Sequence, residues 1–298
     1  MHISFKKGIK MTASNADSYL LELKKIQDTE LDILLRFDKI CRENNLTYCL
    51  DGGTALGAVR HKGFIPWDDD IDVNMPRNDY DTFMEIGQEQ LGEEFFLQNR
   101  NTDPNSPFSF AKIRKNNTTF LEWNKRNIKM HHGIFIDIFP LDVLPRNLDY
   151  REKYIEKCYR LNNKLVKRMS PDRSSVPKKS IKWIVGAISR RIQHYLLCLI
   201  PAKSIDREIN EEFPKYNSRG FDGNDCISHS YATKTVLPSE IMFPPKEIDF
   251  EGHKFYAPAD CDAYLKILYG NYMQLPKEED RIGHRPQVIS FDKEIFRM

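Results

Sequence analysis

The chain has 298 residues, with 45 Lys and Arg against 43 Asp and Glu, which leaves a formal charge of +2 with His neutral. This balance argues against the broad basic surface by which proteins hold nucleic acid. With 40% hydrophobic and 30% charged residues the chain is neither disordered nor a bundle of membrane spans. A chain of this size buries about 75% of its unfolded surface, as one large domain or two unequal lobes.

Cys41, Cys49, Cys158, Cys198, Cys226 and Cys261 include no C-x-x-C pair, so they are expected to be reduced structural thiols rather than zinc ligands or a disulfide framework. The opening stretch MHISFKKGIKMTASNAD is basic but lacks a following apolar run, which argues against a signal peptide and predicts a cytoplasmic protein. In that compartment the sequons at Asn116 and Asn117 carry no weight.

From Asp17 to about Asn45, Leu20, Leu23, Ile26, Leu31, Leu34, Leu35, Phe37 and Ile40 recur near helical spacing and predict a long amphipathic helix, with Ser14, Asn15 or Asp17 as its cap. Leu46 to Leu50 reads as a short buried strand that stops at Asp51-Gly52-Gly53. A helix capped by Thr54 follows to Arg60, then a strand through Asp70 to Val73, and a helix from about Tyr80 to Leu91 capped by Asn78 or Asp79. Ala111 to Arg114 and Gly133 to Phe139 suit strands. Asp149 to about Lys203 is helical and basic, broken at Ser170-Pro171 and Val176-Pro177, and a last helix lies near Cys261 to Gly270. Interleaved strands and helices predict an α/β or α+β fold, a mixed sheet flanked by helices, without internal repeats. The expected divisions are 1–45, an N-terminal helical segment packed on the core; 46–148, the catalytic core; 149–204, a basic helical insertion; and 205–298, which completes the core.

The most informative stretch joins a glycine turn, Gly52-Gly53-Thr54, to the acid run Asp68-Asp69-Asp70-Ile71-Asp72. On a strand, Asp70 and Asp72 would share one face roughly 6.6 Å apart. Like charges this close repel unless a cation compensates, and hard carboxylate oxygens suit Mg²⁺ or Mn²⁺, which complete their shells with water and phosphate. Gly52-Gly53-Thr54 at a strand-to-helix junction would let backbone N–H groups approach an anion. The EF-hand spacing is absent. A third carboxylate, Asp137, sits within an apolar strand, where it is either a structural acceptor or joins Asp70 and Asp72 as a metal ligand or as a base toward an acceptor hydroxyl.

The stretch GGTALGAVRHKGFIPWDDDIDVNMPRNDY, followed by KIRKNNTTF, HHGIFIDIFPLD and YLKILYGNYMQLPKEEDRIGH, resembles the LicD family of phosphotransferases, which decorate bacterial surface glycans and are related to fukutin-type ribitol-phosphate transferases. It covers roughly Cys41 to His284; Asn147 to about Ser204 does not match closely. The family is similar to the nucleotidyltransferase superfamily, with a Gly-Gly turn, a D-x-D strand and a later acid. The resemblance implies that Asp70, Asp72 and Asp137 form the catalytic and metal-binding set, with Asp68 on its rim. It further implies transfer of phosphocholine from CDP-choline, or of a related phospho-alcohol from a nucleotide carrier, to a hydroxyl of a glycan such as lipopolysaccharide or teichoic acid, or of its lipid-linked precursor. In such a transfer the protein positions an in-line attack and neutralises diphosphate charge. Gly52, Gly53, Thr54, Arg60, Lys62 and Lys112 are the candidate nucleotide and phosphate contacts, with His61 and Arg114 beside them. Arg281 and His284 echo the family's R-x-x-H ending and are candidates to close over the donor. His132 is expected to turn the chain.

Within the basic segment, Ile181, Ile184, Val185, Ile188, Ile192, Tyr195, Leu196 and Leu199 form a helical stripe. Arg190 and Arg191 would each cost about 2.5–3.5 kcal/mol at a bilayer midplane, which argues against a span. Two readings stay open: a helix packed on the catalytic lobe with a solvated basic side, or a helix lying peripherally on the inner face of the cell membrane. Two other functions also carry D-x-D or the basic segment, a nucleotide-sugar glycosyltransferase and a non-catalytic glycan- or membrane-binding module. The small net charge averages opposites: Asp68 to Asp81 holds six acids and one base, Arg160 to Arg191 ten bases and one acid.

Overall fold

The computed structural model describes residues 13–172, 180–219, 225–228, 231–281, 283 and 286–295. In chain order the described elements are α1 (Ala13–Glu43), β1 (Cys49–Leu50), α2 (Gly52–His61), β2 (Asp72–Pro76), α3 (Arg77–Leu91), β3 (Phe95–Gln98), β4 (Ala111–Lys115), β5 (Thr119–Leu121), β6 (Phe135–Leu141), α4 (Leu148–Met169), α5 (Ile181–Cys198), α6 (Ala202–Glu212), β7 (Cys226–Ser228), β8 (Val236–Pro238), α7 (Ser239–Met242), β9 (Lys246–Phe250), β10 (His253–Ala257), α8 (Cys261–Tyr269) and β11 (Val288–Ser290). The class is mixed α/β, as the interleaving predicts.

Five strands form one sheet in the order β1-β2-β6-β4-β3. β2 and β6 run parallel; the other neighbours are antiparallel. Val73, Met75, Ile113, Ile136 and Ile138 are buried in this sheet, and α1 covers it with Ile33, Leu34, Phe37 and Ile40. The Phe37 ring meets Tyr48 and Phe83 edge-on at 5.0 and 5.1 Å, the offset geometry aromatic quadrupoles favour. A second core joins α4 to α6 through Tyr154, Leu161, Leu165, Ile205, Ile209 and Phe213. The carboxy-terminal segment returns to the catalytic half, where β11 pairs with β5.

Four local readings are corrected. α2 begins at Gly52 and its cap is Asp51, whose carboxylate accepts the Gly52 N–H at 2.8 Å; Thr54 lies inside the helix. β2 begins only at Asp72, so Asp70 stands in the preceding loop and the two are not alternate residues of one strand. Three consecutive Asp behind Pro66 disfavour ladder pairing. α3 starts directly after Pro76 without a side-chain cap, and Asp79 accepts the Thr47 N–H instead. Between Leu46 and Leu50 only Cys49 and Leu50 join the ladder, opposite Asn74 and Val73. The six cysteines are free, and three of them, Cys41, Cys49 and Cys158, are buried.

Candidate active site

Strand register builds the floor of the site. Asp72 of β2 is level with Asp137 of β6, and Asp137 is level with Lys112 of β4. Side chains level with one another on neighbouring strands project to the same face, so two acids and one base stand in a row. The backbone locks this row: Asp137 N–H donates to the Ile71 carbonyl at 2.8 Å, Asp51 N–H to the Asp72 carbonyl at 2.9 Å, and Asp72 N–H to the Thr54 hydroxyl at 2.9 Å. Thr54 therefore pins β2 to α2.

The acid loop folds back onto the start of α2. A Cβ on Gly53 would come within 2.8 Å of the Asp68 carboxylate, and one on Gly52, at φ +48°, would meet the Asp72 carboxylate and the Tyr269 hydroxyl. Glycine is needed here so that carboxylates can approach the helix start, where the helix dipole favours negative charge. The Gly52 N–H is committed to the Asp51 carboxylate and, at 2.9 Å, to the Tyr264 hydroxyl, so this N–H is not the open phosphate donor the sequence reading expects. Tyr264 in turn donates to Asp51.

Asp68, Asp69 and Asp70 each bring a carboxylate oxygen within 4.8 Å of the others. Burial, followed by Asp70, Asp137 and Asp51, pushes the Asp72 carboxyl well above the usual range, while Lys112 opposes the shift. Above the loop, α1 contributes Gln27, which donates to the Asp68 carbonyl at 2.9 Å, and Glu30, which is fully buried with neither carboxylate oxygen hydrogen-bonded. Burial raises the Glu30 carboxyl strongly, and Asp70, Asp69 and Asp68 raise it further. This is an all-oxygen, acid-rich donor set in which neighbouring acids add to the raised Asp72 and Glu30 carboxyls. It fits a hard divalent cation such as Mg²⁺ and offers nothing to a soft one.

Lys112 and Asp137 form a buried ion pair. The Lys112 ammonium also faces the rings of Phe135 at 3.6 Å, Phe108 at 4.4 Å and Phe110 at 5.5 Å. Burial lowers its pKa to about 8 against the pull of Asp137. Arg114 is equally buried, bonded to the Gly133 carbonyl at 2.7 Å and to Gln98, and lowered to about 10 by burial. It is a buried support on the same sheet face as Lys112, over the Phe135 ring at 4.9 Å, rather than a surface counter-charge. His132 is buried and its ring meets the Ile128 carbonyl at 2.8 Å, in keeping with a structural role.

Arg60 and Arg281 come together at the other side of the acid loop. The Arg60 guanidinium donates to the Tyr272 carbonyl at 3.0 Å and to the His61 ring at 2.9 Å. Its pKa is lowered by burial and then by the neighbouring Arg281, which stacks over Trp67 at 5.1 Å. Two guanidiniums held near each other suit a doubly charged anion. The tail also reaches the acids directly, because a Cβ on Gly283 would come within 2.5 Å of an Asp69 carboxylate oxygen. His284 lies outside the described residues. Lys62 is not brought to this cluster. It is the left-handed C-cap of α2 at φ +62°, its carbonyl accepts the Glu251 N–H, and its charge adds to the Lys254 hydrogen bond that holds the Asp249 carboxyl low.

Residues 45–182 match the family described as "LicD/FKTN/FKRP, nucleotidyltransferase domain". The lipopolysaccharide cholinephosphotransferase LicD of Haemophilus influenzae is 29% identical over 271 residues, covering 90% of this chain and 97% of that protein. The chain carries a LicD-family domain. Shorter matches occur to uncharacterized proteins of Rickettsia typhi, 44% identical over 48 residues, and Rickettsia prowazekii, 40% over 57, each spanning a fifth or less of either chain. The LicD-family domain contains α2, the acid loop and the Asp72-Asp137-Lys112 row. Tyr264, Tyr269 and Arg281 reach the same site from beyond it, and Glu30 reaches it from before it.

The sequence reading missed Asp51, Glu30, Tyr264 and Tyr269. Glu30 left a signal: it interrupts the buried run Ile26, Ile33, Phe37, Ile40 on the core face of α1. Tyr264 and Tyr269 lie in the YLKILYGNY segment that carries the resemblance, but only the tertiary fold brings α8 to α2.

Proposed function

We propose that the protein catalyses Mg²⁺-dependent transfer of phosphocholine from CDP-choline to a hydroxyl of a cell-surface glycan of the lipopolysaccharide type or its lipid-linked precursor. The Asp72-Asp137-Lys112 row beneath the Asp68–Asp70 loop carries the reading, supported by the cholinephosphotransferase named among the relatives. The acceptor oxygen would attack the phosphorus bearing choline, the bond from that phosphorus to the bridging oxygen would break, and CMP would leave with the electron pair. The acceptor proton would pass to Asp137, whose other oxygen Lys112 holds in a fixed orientation. Asp70 and Asp72, with Asp68 and Asp69 beside them, would hold Mg²⁺, which supplies charge neutralisation at the diphosphate when bound. Arg60 and Arg281 would face the remaining phosphate charge. With a nucleotide-linked donor the reaction would run on the cytoplasmic side.

Thermal-shift screening tests the donor class. CDP-choline with Mg²⁺ at a hundredfold excess over Kd is expected to stabilise the protein by about 2.7 kcal/mol, roughly 5–10 °C in Tm, and not to do so in EDTA. Stabilisation by CDP-ribitol or CDP-glycerol alone would change the alcohol transferred. A response only to nucleotide sugars would favour glycosyl transfer and contradict the proposal.

A further inference from the structure

α5 turns its main apolar arc outward. At 3.6 residues per turn, its stripe from Ile181 through Ile184, Ile188, Ile192 and Leu196 to Leu199 occupies one arc of roughly 120°. That arc faces away from the protein: exposure along it runs from 48% at Ile184 to 82% at Leu199. The opposite face, which packs on α4, is mixed: Arg190, Gln193 and His194 stand beside the half-buried Trp183, Ala187 and Leu197. Arg190 donates to the Ser170 and Val166 carbonyls at 3.1 and 3.0 Å, and the His194 ring meets the Lys167 carbonyl at 3.2 Å. No α5 residue is buried in the protein. A helix with water on its outer side would turn its larger apolar arc inward; this one packs through the mixed face and leaves an unbroken apolar band outside.

Charge decides between occupants of that band. Lys182 and Arg191 flank the stripe on either side, Arg191 also pairing with Asp172 at 3.1 Å, and α5 itself carries no Asp or Glu. An apolar band edged by bases matches the boundary between acyl chains and anionic headgroups, where a helix lies in the plane. None of the described helices is long and apolar enough to cross a membrane, so a helix lying in the surface is the arrangement that fits.

We propose that α5 docks the protein on an anionic lipid surface, with Ile184, Ile188, Ile192 and Leu196 inserted below the headgroups and Lys182 and Arg191 among them. A groove of about 520 Å³ runs under α5 between Arg190, Lys125 and Phe108, and the Phe108 ring touches the Lys112 ammonium. If the function proposed above holds, docking would set this groove at the lipid surface; the docking itself does not depend on it.

Flotation of the full chain with vesicles tests this. Vesicles of phosphatidylcholine with 30% phosphatidylglycerol are expected to carry most of the protein, about tenfold more than pure phosphatidylcholine, and less at 0.5 M NaCl. The triple variant Ile184→Asp, Ile188→Asp, Leu196→Asp should lose flotation at least about tenfold while keeping the parent's circular dichroism and a Tm close to the parent's, since all three residues are exposed and none belongs to a buried core. Absence of binding to the anionic vesicles, or unchanged flotation of a folded triple variant, would overturn the proposal. So would a parent dimer in light scattering that the triple variant converts to monomer, since a second copy would then cover the face. Flotation requires no catalysis, so its failure and a failure of the proposed reaction are separate results.

Discussion

Replacing Asp72 by Asn is expected to reduce turnover at least about a thousandfold while leaving the protein as stable as the parent or more so. The two effects have separate origins. The backbone of Asp72 is held by Thr54 and Asp51, and an Asn keeps both bonds. Its carboxylate, by contrast, is crowded by burial and by Asp70, Asp137 and Asp51, all of which raise its pKa. An amide removes that repulsion, a gain of roughly 1–2 kcal/mol of the kind seen when a strained functional site is relaxed. Kinetics and thermal melting on the same preparation check both halves. Activity within tenfold of the parent would contradict the assignment of Asp72, and a loss of several degrees in Tm would show that its charge serves the fold.

Lys112→Met is expected to act in the opposite sense, on stability first. Lys112 is 2% exposed and pairs with Asp137. Removing one partner of a buried pair leaves the other charge uncompensated, at a cost of about 3–5 kcal/mol. Adding Asp137→Leu should recover most of that loss, because an apolar pair of similar volume fits among Phe108, Phe110 and Phe135. The double variant would be folded and inactive. Urea denaturation of both variants decides it: a single variant within about 1 kcal/mol of the parent would mean that Asp137 does not depend on Lys112.

These two expectations rest on different amounts of sequence information. Asp72 could be singled out from the chain because its acid run follows a glycine turn and its like charges repel unless a cation compensates. The pairing of Lys112 with Asp137 could not, since a separation of 25 positions says nothing of which strands become neighbours. Strand lengths were blurred for a related reason: Leu46 and Tyr48 are buried as expected, yet only Cys49 and Leu50 find a ladder partner. Helices were more legible because periodicity is local. Asn78 and Asp79 illustrate the limit, as both suit a helix cap but Pro76 already sets the entry to α3. α5 shows another limit. Its stripe is plain in the sequence, whereas the direction it faces depends on where α4 offers carbonyls to Arg190.

Glycine roles divide in the same way. The Gly52-Gly53 pair predicts a close approach, and a close approach is found; the groups that approach are the protein's own carboxylates and tyrosine hydroxyl. The acid loop, α2 and β2 thus form one unit in which negative charge is gathered in advance. That arrangement is costly unless a cation joins it.

The most direct measurement follows both products of the proposed transfer at once. The purified protein would be incubated with CDP-choline, Mg²⁺ and lipopolysaccharide lacking choline, with CMP quantified by chromatography and glycan mass by mass spectrometry. The expected result is one CMP released per phosphocholine added to the glycan, abolished by EDTA and by Asp72→Asn. Phosphocholine transfer that persists in EDTA or in the Asp72 variant would contradict the reading of this site.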